Sequence, residues 1–157
     1  ARKTNRRTLV ADLDALQNID LFHYSRVAKF CYQTGVRNLF VLPPKEQIAF
    51  ADEAENCAQL QPKAYNSEFE RGLSNLQTLR FVFDFVLLDC PSLQASGDAA
   101  LFAEAVNGVV VVVEANRTRK EQLRNTLRTV EMSKGNLLGC VMNKRQYPVP
   151  DWLYQRI

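Results

Sequence analysis

Five short apolar runs, each cut off by a polar residue or by proline, constrain the fold of this 157-residue chain more than any other feature. Thr8 to Ala11 leads into Asp12, Leu39 to Leu42 into Pro43-Pro44, and Phe85 to Leu88 into Asp89. Val109 to Val113 leads into Glu114, and Leu137 to Met142 into Asn143. Short apolar runs bounded by turn formers read as strands, and Phe85 to Leu88 reads as one buried on both faces. The segments between them carry helical spacing. Ser67 and Glu70 form a capping box ahead of Phe69, Leu73 and Leu76, and Thr118 and Glu121 form another ahead of Leu123, Leu127 and Val130. Gly135 supplies a stop, and Asp98 caps a helix expected to run to Gly108. Strands alternating with helices predict an α/β fold, doubly wound, with a mostly parallel sheet covered by helices on both faces.

Composition sets the outer bounds. The length fits one α/β domain over residues 1–157, and 46% hydrophobic with 24% charged residues is ordinary for a globular protein. No apolar run approaches a membrane span and nothing at the start looks like a signal peptide, so direct membrane insertion is not expected. Cys31, Cys57, Cys90 and Cys140 form no CxxC pair, and Cys90 and Cys140 fall in strand-like segments. They read as reduced, buried thiols, which predicts the cytoplasm, and a single His leaves no zinc spacing. Four of the 20 basic residues, Arg2, Lys3, Arg6 and Arg7, stand in the first seven positions, so the other 16 meet 17 acids. A near-neutral body argues against a nucleic-acid partner, and the basic start reads as a solvated tail or an exposed helix end.

Acids and an amide recur at the carboxyl ends of the strands: Asp12 and Asp14 after the first, Asp89 after the third, Asn143 at the last. Each alone reads as a helix cap or turn former. In a parallel sheet those ends share one edge, where open α/β sheets bind ligands, so together, with Cys90-Pro91 behind Asp89, they predict a site. Asn143-Lys144-Arg145-Gln146 lacks the closing acid that would pair a guanine edge. A phosphoacceptor receiver domain would use Asp12, Asp14, Asp89 and Lys144, but two further segments, a strand among them, lie between Asp14 and Asp89, too much chain for that compact fold. An adenine nucleotide fits better, with the Asn143 amide available to the base.

Val10-Ala11-Asp12-Leu13-Asp14 resembles the Walker A′ segment of bacterial tyrosine kinases from capsule and exopolysaccharide operons, which belong to the MinD/ParA group of P-loop ATPases. Phe83 to Pro91 resembles their Walker B segment, Ser96-Gly97-Asp98-Ala99 the stretch after it, and Leu138 to Lys144 their last strand. The ending, Tyr147 to Tyr154, is also similar. The resemblance implies Mg²⁺ organised by Asp12 and Asp89, proton transfer or metal positioning by Asp14, and ATP beside Pro91 and Asn143. It implies Tyr147 and Tyr154 as phosphate acceptors. It further implies a membrane-bound polysaccharide chain-length (co-polymerase) protein as partner, a homo-oligomer, and a cytoplasmic place peripheral to the inner membrane.

The departures shape the expectation as much as the matches. No Gly-x-x-x-x-Gly-Lys-[Ser/Thr] occurs, so the backbone cradle and Lys that hold phosphates are missing, together with the strand that precedes them in the family. Leu16 stands where an Arg is usual, and Ser92 where a second Pro is. The chain reads as the carboxy-terminal portion of such an ATPase domain or as a degenerate relative acting as a non-catalytic regulator, and in both cases ATP binding is expected to be weak or absent. His23 reads as a helix-surface residue, Asp52, Glu53 and Glu55 as a solvated face, and Lys120, Arg124 and Arg128 likewise. Pro148 and Pro150 predict an extended ending in which Trp152 and Leu153 pack on their own domain.

Overall fold

The computed structural model describes residues 6–21, 24–44 and 67–145. His23, Cys57, the acids at 52, 53 and 55, both candidate acceptor tyrosines and Trp152 lie outside them. The chain divides into two compact units, residues 1–99 and 100–157.

The first unit is built on β1 (Thr8–Asp12), followed by α1 (Leu13–Asn18), α2 (Tyr24–Phe30), β2 (Tyr32–Gln33), β3 (Leu39–Leu42), α3 (Glu68–Val82) and β4 (Phe85–Asp89). Its four strands run in the order β2-β3-β1-β4, with β1 parallel to both β3 and β4. Leu9 and Ala11 of β1 are fully buried, so β1 is the central strand. The expectation that Phe85 to Leu88 is buried on both faces fails. Phe85 and Leu87 are 48% and 56% exposed, and among the described residues β4 ends the strand order and pairs with β1 alone. The two-residue β2 lies antiparallel to β3, and Asn38 closes the turn between them at φ 59°. Asn tolerates this left-handed conformation better than most residues.

Helix α3 starts as the sequence predicts. The Ser67 hydroxyl accepts the Glu70 N–H at 3.2 Å, and Leu76, Leu79 and Val82 turn one apolar stripe inward. Asn75 sits in that stripe, fully buried. Its amide donates to the carbonyls of Leu16 and Ile19 at 2.7 and 2.8 Å, and its oxygen accepts the Leu21 N–H at 2.9 Å. One side chain thus satisfies three backbone groups at the end of α1, where a helix leaves carbonyls unpaired.

The second unit holds β5 (Val109–Glu114), α5 (Lys120–Met132) and β6 (Leu137–Asn143), with β5 and β6 parallel. The short helix α4 (Asp98–Ala103) spans the boundary at residue 99. It ends at Ala103, not at Gly108, in a turn where the Ala105 N–H bonds Phe102 O. Asp98 is its first residue, with its N–H and carboxylate both bonded to the Ser96 hydroxyl. The box ahead of α5 is shifted by one residue from the predicted one. Gln122 accepts the Arg119 N–H at 3.0 Å, while the Thr118 hydroxyl turns back to accept the Glu114 N–H. At the far end Lys134 takes the left-handed conformation (φ 55°), and the Gly135 N–H closes on Val130 O. Gly135 is required by space: a Cβ there would meet Ala103 Cβ and Val130 Cγ1 at 2.9 Å. Lys120, Arg124 and Arg128 are exposed, as expected of a solvated face.

Candidate functional site

Strand β1 and helix α1 meet at Asp12 without an intervening loop. Asp12 is the last residue of the strand and the N-cap of the helix, its Oδ1 accepting the Ala15 N–H at 2.8 Å. Asp14 falls in the first turn, where the helix dipole favours a negative charge. On the neighbouring strand Asp89 is the register partner of Asp12. Paired residues on adjacent strands point to the same face about 4.8 Å apart in backbone spacing. Two carboxylates thus leave the carboxyl edge of the sheet side by side, and neither is neutralised by a cationic side chain among the described residues. Asp14 is exposed beside them.

Cys90 reports the same convergence. Burial of its thiol, then the charges of Asp89, Asp12 and Asp14 in that order, push its pKa up to about 11. All three acids therefore act on one point just past the end of β4. The residue as a whole is exposed, as is Cys140, so the expectation that both are buried is wrong. They follow or occupy strands open on one side, and the buried thiol among the described residues is Cys31, one residue past α2. None of the three forms a disulfide.

The acids fit a hydrated divalent cation. Among the described residues no three His, Cys, Asp or Glu side chains gather closely enough to cage a metal. Two carboxylates with the remaining positions left to water suit Mg²⁺, which keeps much of its hydration shell.

Asn143 ends β6 in the second unit, paired with Glu114. Its side-chain oxygen accepts the Lys144 N–H at 2.8 Å, and Lys144, at φ 54°, reaches Glu114 with its ammonium at 3.4 Å. Arg117 holds the other Glu114 oxygen at 3.3 Å. Pro91 follows Cys90 and is half-buried. Sequence reasoning passed over Asn75, which fixes the end of the helix that Asp12 starts. An Asn between Leu73 and Leu76 on an apolar helix stripe was the available signal.

Solved structures define the fold to which this parallel sheet belongs. The chain has the P-loop ATPase-like fold. It superposes on the chimerical protein CapA2B2 with a TM-score of 0.62 at 21% identity, covering 93% of this chain and 66% of that one. On a plasmid partition protein from Borrelia burgdorferi it scores 0.51 at 16% identity, covering 98% and 75%. Within that class its relatives by sequence are the bacterial tyrosine kinases that the motifs indicated. It is 29% identical to the tyrosine-protein kinase CpsD of Streptococcus agalactiae over 112 residues, 71% of this chain and 44% of that protein. It is 32% identical to the succinoglycan biosynthesis transport protein ExoP of Rhizobium meliloti over 69 residues, 44% of this chain and 9% of that protein. The match thus spans less than half the length of these relatives. No family model matches the chain.

Proposed function

We propose that the first unit carries the metal-holding wall of an ATP site of the capsule and exopolysaccharide tyrosine-kinase type. The observation that carries this reading is the in-register pair Asp12 and Asp89 with Asp14 one step into the helix. Asp12 and Asp89 would hold the water shell of Mg²⁺, which supplies charge neutralisation at the phosphates. Asp14 would take a proton or steady the metal's waters, and Pro91 would flank the nucleotide.

The same polypeptide contains no Gly-x-x-x-x-Gly-Lys-[Ser/Thr]. A metal wall without backbone N–H groups and a Lys for the phosphates binds the cation far better than the nucleotide. This 157-residue chain is therefore read as catalytically incompetent by itself. Calorimetry should show Mg·ATP affinity weaker than about 1 mM, corresponding to less than about 4 kcal/mol of binding. A micromolar, Mg²⁺-dependent affinity would overturn the reading.

The partner proposed is a membrane-bound polysaccharide chain-length protein, which would bring the chain to the inner membrane from the cytoplasmic side. One relative is a transport protein of succinoglycan biosynthesis and one solved neighbour is a CapA2B2 chimera, which supports that class. Among the described residues no helix is long and apolar enough to cross a membrane. Co-purification with such a partner from detergent extracts, lost when the partner gene is deleted and restored on its return, tests it.

A further inference from the structure

At the other end of β1 from the acids, exposed Arg7 lines the rim of a half-open cavity of about 240 Å³. Its other lining side chains are mostly apolar: Val27, Ala28 and Cys31 in and just after α2, Phe40 of β3, and Val82 and Phe83 at the end of α3 and just after it. From Arg7 to Asp12 is five residues along a strand, or about 16 Å, so this space is separate from the carboxyl edge. A cavity of about 150 Å³ already holds benzene, so this one has room for an aromatic ring and a small substituent.

The mouth carries the chemical information. The Arg7 guanidinium lies over two ring faces, 5.3 Å from the centroid of Phe40 and 5.1 Å from that of Phe83. Stacking of this kind holds the planar group in place while leaving its edge donors pointing outward. Asp84 bonds the backbone of Arg7 and not its guanidinium: its Oδ2 accepts the Arg7 N–H at 2.7 Å. No ion pair joins Arg7 to a carboxylate among the described residues. Among the described residues no acid lines the cavity, and burial keeps the Cys31 thiol protonated.

We propose that this cavity binds a small apolar carboxylate, its ring or branched tail among Val27, Phe40 and Val82 and its carboxylate on the Arg7 guanidinium. A single planar guanidinium matches a carboxylate edge to edge, and a neutral isostere loses the charge-assisted half of that contact. A phosphate dianion would call for more than one cation, and among the described residues lining the cavity Arg7 is the one cation.

Phenylacetate titrated into the full chain, followed by heteronuclear NMR, tests this. Saturable shifts are expected at Val27, Val82 and Phe83, with phenylacetamide binding at least about tenfold more weakly. Arg7→Met, which keeps the stem over the rings, should abolish the preference for the acid. Ala28→Phe, which fills the cavity, should block both compounds. Equal affinity for acid and amide, an acid preference that survives in Arg7→Met, or shifts confined to residues away from the cavity would overturn the proposal. The acid-to-amide ratio in the unaltered chain decides the matter even where a variant fails to fold.

Discussion

Asp12 and Asp89 are register partners at the carboxyl ends of β1 and β4, two like charges on one face of adjacent strands. Pairs of this kind are destabilising by several tenths of a kcal/mol, and the cost falls when one charge is removed or a cation bridges them. The two acids differ in what else they do. Asp12 caps α1 through Ala15, whereas Asp89 has no such duty among the described residues. Asp89→Asn is therefore expected to leave stability unchanged or raise it by up to about 0.5 kcal/mol in urea melts. Asp12→Ala should lower it by about 1 kcal/mol through the lost cap. Both should lose Mn²⁺ binding measured by paramagnetic relaxation. Retained Mn²⁺ affinity in either variant would remove the metal reading while leaving the capping role intact.

Cys31 gives the fold a pH dependence at the alkaline end. Burial raises its pKa from 9.0 to about 12. Between those values the unfolded chain has released a proton that the folded chain retains, so unfolding is favoured as pH rises. The contribution is fully present below pH 9 and declines toward pH 12, at no more than about 1.4 kcal/mol per pH unit. Lysines and tyrosines titrate in the same range, so the measurement is a difference. Cys31→Ala should cost about 1 kcal/mol at pH 7 and show a shallower fall in urea midpoint above pH 9. Parallel pH profiles for the two proteins would show that the thiol is not buried in solution.

The strand ends were legible because apolar runs stop where a strand leaves the sheet, and four of the five runs end in a side chain that leads into a cap or turn. Asp12 and Asp89 were legible together because parallel strands present one edge, although only pairing could give their register. The neighbours of each strand were not legible. Phe85 to Leu88 has the composition of an interior strand, yet in this structure it ends the order β2-β3-β1-β4, and its alternate side chains stand half exposed. Strand β2 escaped notice because two residues carry no period, and its pairing is set by the turn at Asn38. Thr118 was misread as a cap because its hydroxyl is an acceptor of the usual capping kind, yet the Glu114 N–H claims it and the helix starts one residue later, behind Arg119. Arg7 read as part of a solvated basic start, and only the fold brings Phe40 and Phe83 beneath it.

Asn75 ties α3 to the end of α1, the helix that Asp12 caps, and its removal should be felt at α1 before it is felt elsewhere. It is fully buried and serves the carbonyls of Leu16 and Ile19 and the N–H of Leu21. An apolar replacement leaves these backbone groups without partners in a space closed to water, at about 1 to 3 kcal/mol for the most strongly desolvated of them. Asn75→Leu is accordingly expected to lower stability by about 3 kcal/mol. Asn75→Asp should be comparably costly, because it keeps the acceptor for Leu21 but turns a carboxylate oxygen toward two carbonyls. The distinguishing readout is local. Amide exchange from Ala15 to Leu21 should accelerate beyond what the global loss explains, while the core of β1 at Leu9 and Ala11 follows the global value. A loss below about 1 kcal/mol, or exchange that rises evenly across α1 and β1, would show that α1 is held by its apolar residues and not by the Asn75 side chain.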